Sequence, residues 1–279
     1  MHNISNKANK TILLTGASGK IGRQLFYKLK KRNCYGIYNK KKISNNKNLI
    51  KLDLRNKKKL KNLVKKIKPN IVIHLAGMKD PGLNEKQPNI SKELNLQVTK
   101  NLVKSLNNNV HFIFFSTDKI YDGEKKKFNE KSKLSPIGFY GKYKLMCESL
   151  IKKKFKKHHI IRMSLVHFDG KDKNFSIIDK FIFLLKKKLK VKVFKNVKRC
   201  FVDIEDLIKF IPKIFENKKF GIYNIGSKLS TYSFRVKKIC KKKKIKLKNN
   251  LIEINGQAKP ISMELDTKKL QNNFNFKFT

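Results

Sequence analysis

The stretch Thr11-Ile12-Leu13-Leu14-Thr15-Gly16-Ala17-Ser18-Gly19-Lys20-Ile21-Gly22 joins a short apolar run, a glycine-rich turn and the start of an amphipathic segment. An apolar run of this length, punctuated by glycines, reads as a buried strand entering a tight loop, with a helix after it. Each glycine then has a distinct use. Gly16 permits the tight turn, Gly19 lets backbone approach a pyrophosphate, and Gly22 allows close helix–strand packing. The helix N-terminus adds free N–H groups and a positive dipole end for the phosphates. Gly16, Ser18, Gly19, Lys20, Ile21 and Gly22 are therefore candidate contacts for a dinucleotide.

Outward from this loop, apolar runs alternate with lysine-rich amphipathic stretches, the pattern of repeated βα units around a parallel sheet. Further strands are expected at Cys34 to Tyr38, about Asn48 to Leu52, Ile71 to Leu75, Val110 to Phe115 and His159 to Met163. Helices are expected at about Lys20 to Arg32, Lys57 to Ile67, Ile90 to Leu106 and Phe139 to Phe155. Beyond about Ser164 the pattern loosens. Helices near Ile177 to Lys187 and Asp203 to Phe215, and one opened by Ser230 or Thr231, alternate with strands at Val191 to Phe194, Tyr223 to Ile225 and, last, Leu251 to Ile254. The expected fold class is α/β, a Rossmann-type doubly wound parallel sheet with a smaller C-terminal substrate-binding lobe. Residues 1–10 are expected to form a loose leader and 11–163 the NAD(P)-binding domain. Residues 164–279 would be mainly the substrate lobe, with some segments returning to the core.

A chain of 279 residues can bury a sizeable core of this kind. It holds no apolar run of about eighteen residues, so no membrane span is expected. The polar start, Met1 to Lys10, lacks the apolar stretch of a signal peptide, and a cytoplasmic location is expected. Cys34, Cys147, Cys200 and Cys240 stand far apart, without the spacing of a disulfide framework or a zinc site, and the six histidines show no metal-ligand spacing. No metal is expected. The formal charge of +50 invites a nucleic-acid reading. Yet only six of the 69 basic residues are arginine, and the lysines are spread along the whole chain. Abundant Lys, Asn, Ile and Phe with no Trp is the bias of AT-rich codons, whereas nucleic-acid sites favour arginine forks. No specific nucleic-acid partner is expected.

Dinucleotide sites that take NAD usually place an acid at the end of the second strand, to bond the ribose hydroxyls. Here that place reads Tyr38-Asn39-Lys40-Lys41-Lys42, without a carboxylate. Asn39 and Lys40 are candidate cofactor contacts that favour NADP over NAD. Asp53-Leu54, ending the third strand, is placed to bond the adenine amino group, or else Asp53 caps the next helix. Leu75-Ala76-Gly77, leaving the fourth strand, completes the candidate cofactor set.

Tyr140-Gly141-Lys142-Tyr143-Lys144 sets Tyr140 and Lys144 four residues apart, on one face of a helix. A free tyrosine has a pKa of about 10 and needs a nearby cation to move protons near neutrality. Lys144 supplies that cation and can hold the nicotinamide ribose, so Tyr140 and Lys144 also count as cofactor contacts. Tyr143 has Cys147, not a cation, four residues on. Thr117, at the exit of the fifth strand, offers a hydroxyl for the carbonyl oxygen that Tyr140 would protonate.

Together these residues resemble the extended short-chain dehydrogenase/reductase superfamily, nucleotide-sugar branch. Within it the chain is most similar to the dTDP-4-dehydrorhamnose reductase family. Ser116-Thr117-Asp118-Lys119-Ile120-Tyr121-Asp122-Gly123 is similar to that family's Ser-Thr-Asp-Tyr-Val-Phe-Asp-Gly. Leu134-Ser135-Pro136, Tyr140-Gly141, Lys144-Leu145 and Glu148 continue the likeness, and Leu265-Asp266-Thr267-Lys268-Lys269-Leu270 resembles its closing motif. The resemblance implies Thr117, Tyr140 and Lys144 as the catalytic set, Asp118 at a nucleotide-sugar substrate, and pairing into a homodimer. The chain departs from the family at Leu165, where a tryptophan is frequent, and at Arg199-Cys200-Phe201-Val202, which replaces Gly-x-Pro-Thr. That second stretch is more like the epimerase/dehydratase branch, where an arginine in the place of Arg199 contacts the nucleotide diphosphate.

The resemblance leaves three functions open. A reductase would pass hydride from NAD(P)H to a nucleotide-linked keto-sugar. An epimerase would use the same residues and recycle a tightly held NAD. Dehydration is disfavoured, because Asp118 is followed by Lys119 where dehydratases carry a second acid. A non-catalytic regulatory subunit would keep the fold without turnover, as in the methionine adenosyltransferase regulatory subunits that resemble the same family.

Overall fold

The computed structural model of the chain describes residues 10–123, 127–168, 176–247, 249–256 and 261–279. Of the leader expected at 1–10, all but Lys10 lies outside the described residues. Strand β1 (Ile12–Thr15) passes through the glycine turn into α1 (Lys20–Leu29), then β2 (Cys34–Tyr38), β3 (Leu49–Lys51), α2 (Lys57–Ile67) and β4 (Ile71–His74). Short helices α3 (Pro81–Lys86) and α4 (Pro88–Ser91), a π-helical segment Lys92–Gln97 and α5 (Val98–Ser105) lead to β5 (His111–Thr117). A 3-10 turn, Asp118–Ile120, and β6 (Lys127–Phe128) precede α6 (Gly138–Lys154), β7 (His158–Met163) and β8 (Leu165–His167). Next come α7 (Ile177–Lys186), β9 (Val191–Phe194), β10 (Val197–Arg199), β11 (Phe201–Asp203), α8 (Ile204–Glu216) and β12 (Gly221–Ile225). The chain continues through β13 (Ser230–Thr231), α9 (Tyr232–Lys242), β14 (Leu251–Ile254), β15 (Ile261–Leu265) and α10 (Lys268–Phe274).

A seven-stranded sheet in the order β12-β7-β5-β4-β1-β2-β3 is the expected doubly wound arrangement, with the order reversing beside β1. Ile12 pairs in parallel with Cys34 on one side and Ile71 on the other, and Ile71 pairs with His111. Strand β1 is buried throughout, as is β4, which explains their continuous apolar runs.

The chain divides into two compact units. One comprises the residues up to Phe115 with Lys142–Ile160, and the other Ser116–Gly141 with Ile161–Thr279. In the second unit, a four-stranded sheet in the order β13-β10-β15-β6 stands with the two-stranded pairs β11-β8 and β14-β9. Its core gathers Ile178, Ile182 and Leu185 of α7, Val191 and Val193 of β9, and Val236, Ile239 and Cys240 of α9.

Two expectations need correction. The single helix expected over Ile90 to Leu106 is broken into α4, the π segment and α5. Pro88 starts α4, as Pro81 starts α3 behind its Asp80 cap. The wider π turn brings Asn95 into a buried polar cluster in which its Nδ2 donates to Asn84 Oδ1 at 2.9 Å. The strand expected to be last, Leu251 to Ile254, is followed by β15 and α10. The weak alternation of Ile261-Ser262-Met263-Glu264-Leu265 gives no strong local signal, and β15 is held by parallel pairing with β10 and β6.

Buried histidines in the first unit make its stability sensitive to acid. His74 Nδ1 lies 2.6 Å from Thr15 Oγ1 and its Nε2 2.9 Å from Thr99 Oγ1. His111 Nε2 lies 2.7 Å from His159 Nδ1. Burial pushes His74 down to about 3 and His111 down to about 4 from an ordinary 6.5. Both therefore stay neutral in the fold while the unfolded chain takes up protons below pH 6.5. Their stabilisation is complete above that pH and is lost as pH falls toward about 4 and 3. Between pH 7 and 5 the loss is about 2 kcal/mol per histidine. A urea midpoint that is the same at both pH values would refute this.

Candidate active site

In the first unit, two glycines of the turn, Gly16 and Gly22, have no room for a side chain. Gly16 has φ +71°, and a Cβ there would meet Ala76 N at 2.8 Å and the Leu75 carbonyl carbon at 2.9 Å. A Cβ on Gly22 would collide with the Gly16 carbonyl. Gly19 N donates to Gly16 O at 2.9 Å, and Ala17 N to Ile37 O at 2.9 Å, so the loop is tied to itself and to β2. Helix α1 has Gly19 at its N-cap, no acidic residue in its first turn and, among the described residues, no side-chain cap. Such an end presents backbone donors and partial positive charge. This cradle fits a pyrophosphate.

The other candidate cofactor residues follow the C-terminal ends of β2, β3 and β4. Asn39 and Lys40 are exposed directly after β2. The Asp53 carboxylate takes Arg55 Nε at 3.0 Å on each oxygen and Arg55 Nη2 at 2.6 Å. These bonds from Arg55, chiefly, hold Asp53 below its ordinary pKa, with the Asn39 side chain adding a further bond. The alternative role for Asp53, capping α2, falls to Asn56, whose side chain accepts from Lys59 N at 2.9 Å. Asn101 Nδ2 donates to Leu54 O at 3.1 Å and fixes the turn. Leu75 and Ala76 are half-buried, and Gly77, at φ +153°, could not carry a Cβ without meeting Asn95 Oδ1 at 2.6 Å. That Asn95 oxygen is buried and, among the described residues, has no hydrogen-bond partner.

Lys144, on α6, is buried, with its Nζ 2.9 Å from Phe115 O and 4.6 Å from the centre of the Phe114 ring. Burial lowers its pKa from 10.5 to about 8. Cys147, one turn on, lies with its Sγ 3.5 Å from Asn95 O.

In the second unit, Thr117 ends β5 and its Oγ1 accepts from Lys119 N at 3.3 Å. Tyr140, half-buried, lies in the first turn of α6, which rests beside this turn for a steric reason. A Cβ on Gly141 would lie 3.1 Å from the Lys119 carbonyl carbon and closer still to its oxygen, so only glycine lets the helix rest there. Ile137 N also donates to Lys119 O, at 2.8 Å. Asp118, buried, forms an ion pair with Arg199, whose Nη2 also reaches Ser164 Oγ at 3.2 Å. Burial opposes the Arg199 charge, but the Asp118 carboxylate outweighs it and holds the pKa above its ordinary value. Arg199 Nε is buried and unbonded among the described residues.

The four cysteines are free thiols, all buried. Among the described residues, no helix is long and apolar enough to cross a membrane. Sequence reasoning overlooked Asn95 and Arg55, and it singled out Asp118 and Arg199 separately without their pairing. Only the Asp-x-Arg spacing of Asp53 and Arg55 was open to local reading.

The RmlD substrate binding domain family model matches residues 10–279. Methionine adenosyltransferase 2 subunit beta of Xenopus laevis is 28% identical over 162 residues, covering 58% of this chain and 48% of that protein. The dTDP-4-dehydrorhamnose reductase of Salmonella typhimurium is 27% identical over 167 residues, 59% of this chain and 54% of that protein. The chain thus spans about half the length of the curated relatives it matches. The crystal structure of dTDP-4-dehydrorhamnose reductase from Bacillus anthracis in complex with NADP superposes with a TM-score of 0.82 at 21% identity, covering 97% of this chain and 95% of that one. UDP-glucose 4-epimerase from Thermotoga maritima, with UDP-glucose, gives 0.83 at 19% identity, over 96% and 94%. These two likenesses establish the fold.

Proposed function

We propose that this chain, which belongs to the RmlD substrate-binding domain family, is an NAD(P)H-dependent reductase of a nucleotide-linked keto-sugar. Residues 11–163 would carry the dinucleotide, and 164–279 mainly the substrate. The observation that carries the reading is the buried Lys144 ammonium one helical turn after the half-buried Tyr140, on α6. A cation so placed favours the phenolate and suits Tyr140 to donate a proton and recover it near neutral pH. Thr117 would bond the same substrate oxygen, while Asp118 and Arg199 would bind the substrate.

Gly16, Ser18, Gly19, Lys20, Ile21 and Gly22 would hold the pyrophosphate. Asn39 and Lys40 would meet the adenosine ribose, Asp53 and Leu54 the adenine, and Leu75, Ala76 and Gly77 the backbone edge beyond β4. Tyr140 and Lys144 would hold the nicotinamide ribose. NADP is preferred over NAD because no carboxylate ends β2. When bound, the nicotinamide supplies hydride, which no protein side chain can.

The test is to examine the purified protein for bound nucleotide, then titrate NADPH and NADH and assay dTDP- and UDP-linked keto-sugars. Reversible NADPH binding, with NADPH oxidised in step with sugar reduced, is the expected result. Retained NAD with no net oxidation would replace this reading with an epimerase. A second reading, a non-catalytic regulatory subunit, draws on the likeness to methionine adenosyltransferase 2 subunit beta. Nucleotide binding without turnover of any such sugar would favour it.

A further inference from the structure

We infer that Arg55 is the residue that selects a phosphorylated dinucleotide, its outward guanidinium edge gripping the adenosine 2′-phosphate beside Lys40. The inference rests on the dinucleotide reading above and assigns its specificity to a residue outside the glycine loop. A guanidinium has two useful edges, Nε/Nη2 and Nη1/Nη2, each able to make a bidentate contact. On Arg55 the first edge is committed, because Nε and Nη2 both bond the Asp53 carboxylate and the Arg55 backbone N–H bonds the same group at 2.9 Å. The second edge points elsewhere, with Nη1 a looser 3.6 Å from Glu93 Oε2, and the Arg55 side chain is 46% exposed. A long side chain is thus already oriented, so little rotamer freedom remains to be lost on gripping an oxyanion.

The setting supports the assignment. Asp53 is bonded by Asn39 as well as by Arg55, which joins the exit of β2 to the turn after β3 through one carboxylate. Leu52 N donates to Tyr38 O at 2.9 Å and keeps these two exits together. In a doubly wound sheet this is the edge where the adenosine half of a dinucleotide lies. Asp53 is neutralised by Arg55, and a phosphate on the outward edge of Arg55 beside Lys40 would take the place of the looser, exposed Glu93 carboxylate at Nη1. A ribose 2′-hydroxyl would gain nothing comparable.

Binding of NADPH and NADH to the full chain, followed by fluorescence at about 0.15 M salt, tests this with Arg55→Met and Lys61→Met. Lys61 is exposed on α2 and controls for removing one charge from a +50 chain. For Arg55→Met, the NADPH Kd is expected to rise about tenfold or more while the NADH Kd stays within about twofold; Lys61→Met should move neither beyond about twofold. Equal weakening of both nucleotides would overturn the inference and make Arg55 an adenine contact. An unchanged NADPH/NADH ratio would overturn it as well. If wild-type protein bound neither nucleotide, the dinucleotide reading itself would fall, and this inference with it.

Discussion

Replacing Tyr140 with phenylalanine is expected to lower the rate of keto-sugar reduction by about 10²- to 10⁴-fold, the usual contribution of a positioned proton donor. The change removes one oxygen and keeps the ring, so α6 and its glycine contact with the Lys119 turn should persist. Nucleotide affinity should change far less than the rate, because Tyr140 is one contact among many proposed for the cofactor. The wild-type rate should also fall as pH rises through about 8, since burial lowers Lys144 to that value and its ammonium is then lost. The measurements are kcat against pH for the wild type, and kcat with NADPH Kd for the variant. A Tyr140→Phe protein that reduces its substrate at the wild-type rate would end the assignment.

Gly22→Ala is expected to destabilise the protein by about 3 kcal/mol or more and to abolish nucleotide binding. The added Cβ would lie 2.9 Å from the Gly16 carbonyl carbon and 3.1 Å from Ala17 Cα, and closer still to the Gly16 oxygen. These are backbone atoms of a loop pinned to β2 through Ala17 N and Ile37 O, so neither side can give way cheaply. Gly19→Ala is the instructive contrast. Its Cβ would approach only the Gly16 oxygen, at 3.1 Å, and its backbone already has an ordinary φ of −68°. Its stability cost should stay below about 1 kcal/mol. Its loss of nucleotide affinity should be plain if backbone at Gly19 must touch a pyrophosphate. Urea melts with NADPH titration separate the two effects. Equal, small changes in both variants would show that neither glycine is needed for fold or ligand.

The glycine turn, β2, α2 and the strands near β4 and β5 were legible because their signals are local. Apolar runs, a helix period and turn residues act within a few positions of one another. The fold class followed from how such segments alternate. The break in the helix after residue 90 was not legible, since it depends on Asn84, Ser91 and Asn95 meeting in a buried cluster. Strand β15 was missed for the same kind of reason. Its place comes from partners at β6 and β10, far away in the chain.

The candidate site divides in the same way. Gly16, Gly19 and Gly22, and the spacing of Tyr140 and Lys144, are properties of one turn and one helix, so the sequence by itself determined where they could act. Tertiary structure alone decided that Asp118 pairs with Arg199, 81 residues away, and that Lys144 donates to Phe115 O, 29 residues away. It also decided that Gly141 rests on the Lys119 carbonyl. Charge pairing and burial depend on distance in space, and the low dielectric of a packed interior sets their strength. Neither quantity is encoded in the order of neighbouring residues.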